Sequence, residues 1–242
     1  MNNKKIFERQ LVSDFRQAYL LTEHLSCVEW VARHGTGYTR KDGDTWSMFR
    51  HPSKGLKPCL CAHTDTVHPV KPTKTIRKKG GIIVAAPEGG LGADDRNGMI
   101  IAATLMSRGC PVDVAIFDLE ETGAIGSRSI PLSELDATSI WIGLDRRGDR
   151  EWVDYARSTP EIMKIMQELI PLRKFETGTF SDCAALSDRT GVACINLSAG
   201  LHQEHSEKEY ASVSGMLWTV EDLERIVAPL SGRKFQVSIP AR

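Results

Sequence analysis

The chain has no excess of charge of either sign: 31 basic side chains balance 31 acidic ones. Nucleic-acid and membrane-surface partners usually leave a basic surplus or patch, so neither is expected. The stretch 71–79 is locally basic, but a proline interrupts it and no aromatics are interleaved, so it reads as a solvated connection. No run approaches the ~18 apolar residues that a membrane span needs. The N-terminal segment scatters charges where a signal peptide would need an apolar core. The six cysteines, at 27, 59, 61, 110, 183 and 194, include no C-x-x-C pair, the usual signature of a structural zinc or a redox dithiol. They are expected to be buried free thiols in a reducing compartment, and the chain is expected to be cytoplasmic. Internal repeats and low-complexity segments are missing too.

What remains is an ordinary globular composition, 41% hydrophobic and 26% charged over 242 residues. That length suits one well-buried α/β core and would cramp two. Residues 5–22 have helical apolar spacing. Ser26 and Glu29 resemble a capping box opening a second helix. A Lys-Asp-Gly turn at 41–43 suggests a hairpin over 38–51. Pro58–Ala62 reads as a buried central strand. Strands are then expected at 81–86, 112–119, 139–144 and 192–197, and helices at 97–107, 125–129, 160–169, 183–189 and 214–230. This alternation predicts one domain over 1–242, a three-layer α/β/α sandwich around a mixed, largely parallel sheet.

Ionisable residues gather at or near the ends of these strands: His63-Thr64-Asp65, Gly92-Ala93-Asp94-Asp95, Asp118-Leu119-Glu120-Glu121, Gly143-Leu144-Asp145 and His202-Gln203-Glu204-His205. The carboxyl ends of parallel strands are where open α/β sheets bind ligands. So many carboxylates at one edge would repel and resist desolvation unless cations were present. Two divalent ions answer that problem. Imidazole and carboxylate donors without thiolate suit zinc, with cobalt, manganese or iron as substitutes.

The order H-x-D, G-A-D-D, E-E-x-G-x-x-G-S, a strand-end Asp and H-S-x-x-E, running from about Pro58 to Glu209, resembles the co-catalytic zinc exopeptidases. That superfamily includes aminopeptidases, tripeptidases, carboxypeptidases and deacylases. The resemblance implies that Asp94 bridges two ions, with His63 and Asp145 completing one site and Glu121 and His205 the other. It implies Glu120 as general base, Asp65 as the residue that orients His63, and a cis peptide at Asp94–Asp95. Only residues 146–204 separate Asp145 from His205, too few for an inserted lid or dimerisation domain. This spacing and Gly178–Asp182 resemble the compact aminopeptidase branch, whereas Leu91–Gly98 resembles the tripeptidases.

Each segment alone has an ordinary explanation: a strand-end polar pair, a turn before a helix, a solvated acidic loop. Their joint occurrence favours the metal site. His202 competes with His205 as ligand, and the H-S-x-x-E context favours His205. Ser181 and Asp182 read first as a helix N-cap, with Asp182 as a secondary substrate contact. Arg146 and Arg147 are either surface cations or receptors for a substrate carboxylate. The five tryptophans read as core or rim packing. The expected activity is hydrolysis of short peptides, as an aminopeptidase, with oligomerisation open. The alternatives are a carboxypeptidase, dipeptidase or N-deacylase with the same site, or a non-catalytic binding module.

Overall fold

The computed structural model describes residues 17–68, 76–85 and 90–237. Most of the helix expected over 5–22 lies outside them. The described elements are α1 (His24–Ala32), β1 (Thr39–Asp42), β2 (Trp46–Arg50), β3 (Lys57–His63), β4 (Ile76–Lys79), β5 (Ile82–Ala85), α2 (Ala93–Ser107), β6 (Asp113–Phe117), α3 (Ile125–Ser129), β7 (Thr138–Arg147), β8 (Glu151–Val153), α4 (Pro160–Leu169), β9 (Lys174–Phe175), α5 (Asp182–Thr190), β10 (Cys194–His202), β11 (Tyr210–Ser212) and α6 (Val213–Ile226). No described helix is long and apolar enough to cross a membrane.

The strands form one mixed sheet in the order β1-β2-β6-β3-β7-β10-β11-β5-β4, with β8 pairing to β10 and β9. The four central strands β6, β3, β7 and β10 are mutually parallel, and the flanking pairs are antiparallel. Helices cover both faces, so the central strands bury both sides. Their side chains alternate. Leu60, Ala62, Val114, Ile116, Ile140 and Ile142 pack beneath α2 and α6. Cys59, Cys61, Ala115, Phe117 and Trp141 pack on the opposite face with Cys183 and Leu186 of α5. Each fully buried Leu or Ile contributes about 1.5–3 kcal/mol. All six cysteines are free, and all but Cys110 are buried.

Several elements depart from the sequence expectation. Helix α1 starts before Ser26, because the N–H of Cys27 already bonds the carbonyl of Glu23, so Ser26 and Glu29 form no capping box. Residues 76–79 form the edge strand β4 rather than a connection. Pro58, which cannot donate to a ladder, sits where the β3–β7 register slips between Lys57 and Cys59. Helix α6 stops at Ile226, short of Leu230. Helix α4 matches its expected span, with Thr159 capping the N–H of Ile162 at 3.3 Å and Pro160 in the first turn.

A buried ion pair ties α6 to the segment before β9. Nε of Arg173 is 2.8 Å from Oδ2 of Asp222, and its other nitrogens reach Thr219 Oγ1 at 2.7 Å and the Glu151 carbonyl at 3.2 Å. The chain then passes through β9 into residues 177–180, which wall the site.

Candidate metal centre

The parallel strands β6, β3, β7 and β10 all end at one edge, and each delivers a polar residue there. His63 closes β3, Asp145 lies near the end of β7, Glu120 and Glu121 follow β6, and His205 lies in the turn after β10. Asp94 enters from the start of α2, where its backbone and that of Asp95 are non-helical and the peptide between them is cis. The turn after Phe117 is compressed by Leu119 and Ala124, both at positive φ. Gly126 makes this possible: a Cβ there would lie 2.5 Å from the carbonyl oxygens of Asp118 and Thr45.

Asp94 is the hub. Its Oδ1 lies 3.1 Å from Nε2 of His63, and its Oδ2 lies 3.2 Å from Nε2 of His205. The same His205 nitrogen is 3.1 Å from Oε1 of Glu121. Asp145 Oδ1 is 3.8 Å from Nε2 of His63. One donor atom each from His63, Asp94 and Glu121 fall within 4.8 Å of one another. The alternative ligand His202 points elsewhere, with Nε2 3.0 Å from Oδ1 of Asp149 and its ring stacked on Tyr210.

A ring of supports holds these groups. Asp65 Oδ1 is 3.2 Å from Nδ1 of His63, and its two oxygens accept the backbone N–H groups of Glu120 and Glu121, each at 3.0 Å. Asp95, fully buried, accepts the N–H of Gly98 at 2.8 Å and that of His63 at 3.3 Å. Glu209 accepts the N–H of Asp94 at 3.2 Å and also that of Gly92. Asn196 accepts the N–H of Asp145 at 3.1 Å and donates to the Tyr155 hydroxyl at 2.8 Å. Arg96 donates to the carbonyls of Thr64 and Leu21. Asn196 and Tyr155 had no signal in the sequence, and Arg96 had one only as part of the Leu91–Gly98 run, without a role. Glu209 had one, as the last letter of H-S-x-x-E, without a role.

The electrostatics follow from crowding. Burial, reinforced by Asp94, pushes Glu121 up to about 7. Burial pushes Glu120 up to about 7 as well, opposed by His63 and reinforced by Asp182 and Asp94. Burial and the Asp94 charge drive Asp145 well above the carboxylate range. Burial also works against ionised Asp94, yet hydrogen bonds from His205 and His63 hold it below that range. The hydrogen bond to Asp94 lifts His205 to about 9. Neighbouring carboxylates this close cannot all be charged without compensation, and oxygen and imidazole donors converging on one point suit a divalent cation.

The cluster opens into a cavity of about 540 Å³, walled by Glu120, Arg146, Tyr155, Phe180 and Glu204 among others. Ser181 occupies the N-cap position of α5, but its side chain caps nothing and lies 3.1 Å from Sγ of Cys183. Asp182 is buried and is not among the residues lining the cavity, and burial pushes it up to about 6.

No protein-family model matches this chain, and no curated protein matches it. Solved structures do share its fold. An aminopeptidase PepT from Bacillus cereus is 13% identical, with a TM-score of 0.76 over 92% of this chain and 98% of that one. A tripeptidase from Staphylococcus aureus is also 13% identical, with a TM-score of 0.75 over the same shares. The TET1 peptidase of Pyrococcus horikoshii, which can assemble into a tetrahedron or a large octahedral shell, is 12% identical, with a TM-score of 0.68 over 90% and 99%.

Proposed function

We propose that the chain is a metal-dependent exopeptidase, an aminopeptidase acting on short peptides, with residues 1–242 forming one catalytic domain. The observation that carries this reading is the convergence of His63, Asp94, Glu121, Asp145 and His205, the last four lining a cavity together with Glu120. The fold shared with aminopeptidases and tripeptidases supports it.

In this reading His63 and Asp145 would hold one divalent cation and Glu121 and His205 a second, with Asp94 contributing to both. Zinc suits the donor set first, and cobalt or manganese next. Bound there, such a pair supplies Lewis acidity that polarises a carbonyl and makes water acidic near neutral pH. Glu120 is the general base: its carboxylate, buried beside the donor set and lining the cavity, would take a proton from water and hand it to the leaving amine. Asp65 is a positioning residue, fixing the ring of His63 and the backbone of both glutamates.

The test is a screen of amino-acid amides and short peptides, free and blocked at each end, with added zinc, manganese or cobalt. Hydrolysis that needs both a metal and a free amino terminus is expected. Failure to cleave any of them with any metal would overturn the reading.

A further inference from the structure

Among the described residues the sheet leaves three strands open on one side: β1, β4 and β9. Strand β9 pairs only with β8. The N–H of Lys174 bonds the Arg150 carbonyl at 2.7 Å, and that of Glu176 bonds the Trp152 carbonyl at 2.9 Å. Backbone groups alternate in direction along a strand, so the N–H and carbonyl of Phe175 point to the open side. Apolar side chains crowd the same region. Leu172 is 72% exposed, Phe175 46% and Leu169 36%. Phe175 lies against Trp152 with ring centroids 4.7 Å apart, and Leu169 and Leu172 line a recess of about 180 Å³ with Trp218. Open main chain beside exposed apolar side chains is an edge that recruits another strand.

The three edges differ in what each does to a copy of itself. Strand β4 reads Ile-Arg-Lys-Lys and sets like charges together when paired antiparallel with its copy. In β1, the two-fold that pairs Arg40 with Asp42 sets Lys41 against its own copy. Lys174-Phe175-Glu176 is self-complementary: a two-fold through Phe175 sets Lys174 opposite Glu176 of the second copy, twice, and leaves only the aromatic pair on the axis. Lys174 and Glu176 already pair within the chain, so the two copies join into one alternating cluster of four charges. We propose that β9 is a homodimerisation edge, on which two copies of this chain pair antiparallel with Phe175 facing Phe175. The facing residues exchange two main-chain hydrogen bonds. A ladder this short does not hold a dimer alone, since stable interfaces bury about 800 Å² per partner. Leu169, Leu172 and the Trp218 recess supply the apolar flank. The chain runs from β9 into residues 177–180, so one seam braces the walls of two cavities.

The experiment measures the mass of the full chain by sedimentation equilibrium from micromolar to millimolar concentration. The mass of two chains is expected, and the mass of one chain throughout would overturn the proposal with no variant needed. Lys174→Glu and Glu176→Lys each set like charges across the axis and should raise the dimer dissociation constant at least about tenfold. Both side chains lie at the surface, so the fold should persist, which circular dichroism checks. The double variant Lys174→Glu with Glu176→Lys should restore the dimer, and so should an equimolar mixture of the two single variants. Loss in the single variants without recovery in either case would overturn the antiparallel register. A dimer indifferent to every charge change would place the interface elsewhere and overturn the assignment to β9. Phe175→Cys should yield a disulfide-linked dimer under mild oxidation that the wild type does not, because facing Cα atoms in a hydrogen-bonded antiparallel pair lie about 5.5 Å apart. Failure of that link in a sample whose mass is dimeric would remove Phe175 from the axis and overturn the proposed pairing.

Discussion

The carboxylate of Asp65 accepts the backbone N–H of Glu120 at 3.0 Å, and the same oxygen faces the ring of His63 at 3.2 Å. One side chain therefore sets both the imidazole at the end of β3 and the acidic turn after β6.

Removing it should loosen two places at once. Asp65→Ala is expected to weaken metal binding about 10- to 100-fold, as loss of a residue that orients a ligand usually does. Because the turn carrying Glu121 also loses its anchor, metal titration should find both sites weakened rather than one. Weakening confined to a single site would separate the two roles.

The adjacent glutamates should respond differently to neutralisation. Glu120→Gln should keep both metals and substrate affinity while kcat falls about 10²–10⁴-fold, because an amide cannot accept the proton. Glu121→Gln should weaken one metal site, and excess zinc should partly rescue it. Rescue of Glu120→Gln by zinc, with none for Glu121→Gln, would reverse the assignment.

Metal analysis after reconstitution should approach two equivalents per chain, and chelation should lower the melting temperature. A ligand at 100 times its Kd stabilises the native state by about 2.7 kcal/mol, so the shift is easily read by a thermal melt. A ratio held at one under excess zinc would refute the paired centre.

Gly126→Ala should damage the site from beneath. The added Cβ would press on two backbone carbonyls, which cannot swing aside as a side-chain tip can. A stability loss of about 1–3 kcal/mol by denaturant unfolding is expected, with a fall in activity because Asp118 leads into Glu120.

The pair Arg173–Asp222 offers a check on the cavity wall. Asp222→Ala leaves a buried guanidinium unpaired and should cost about 3–5 kcal/mol, more than Arg173→Met with Asp222→Leu. Equal losses would mean that burial of this charge matters little.

Strands β3, β6 and β7 were legible because each is a short apolar run followed at once by an ionisable residue, and the convergence of those residues because they sit at the strand ends. The rest was hidden for physical reasons. Strands β8, β9 and β11 span only Glu151–Val153, Lys174–Phe175 and Tyr210–Ser212, too short to display a period of two. The basic run that became β4 looks like solvent-facing loop, yet lysines are what an edge strand uses against unwanted pairing. Asn196 sits inside an apolar strand and gives no hint that it holds Asp145 from 51 positions away. Local spacing records what a residue is, and only the folded path records what it meets.

The bond from Asp94 to Glu209 reaches across 115 positions, and His205 arrives just before that partner. Contacts of such separation form late, since the intervening chain must first be closed into a loop. During synthesis a nascent chain exposes His63, Asp94, Glu121 and Asp145 well before the segment that completes and pins the cluster. On the exopeptidase reading, the newborn protein would therefore be inert towards the peptides around it. Ribosome-bound chains arrested before residue 205 should have no hydrolytic activity, and competence should appear only once His205 and Glu209 have left the exit tunnel.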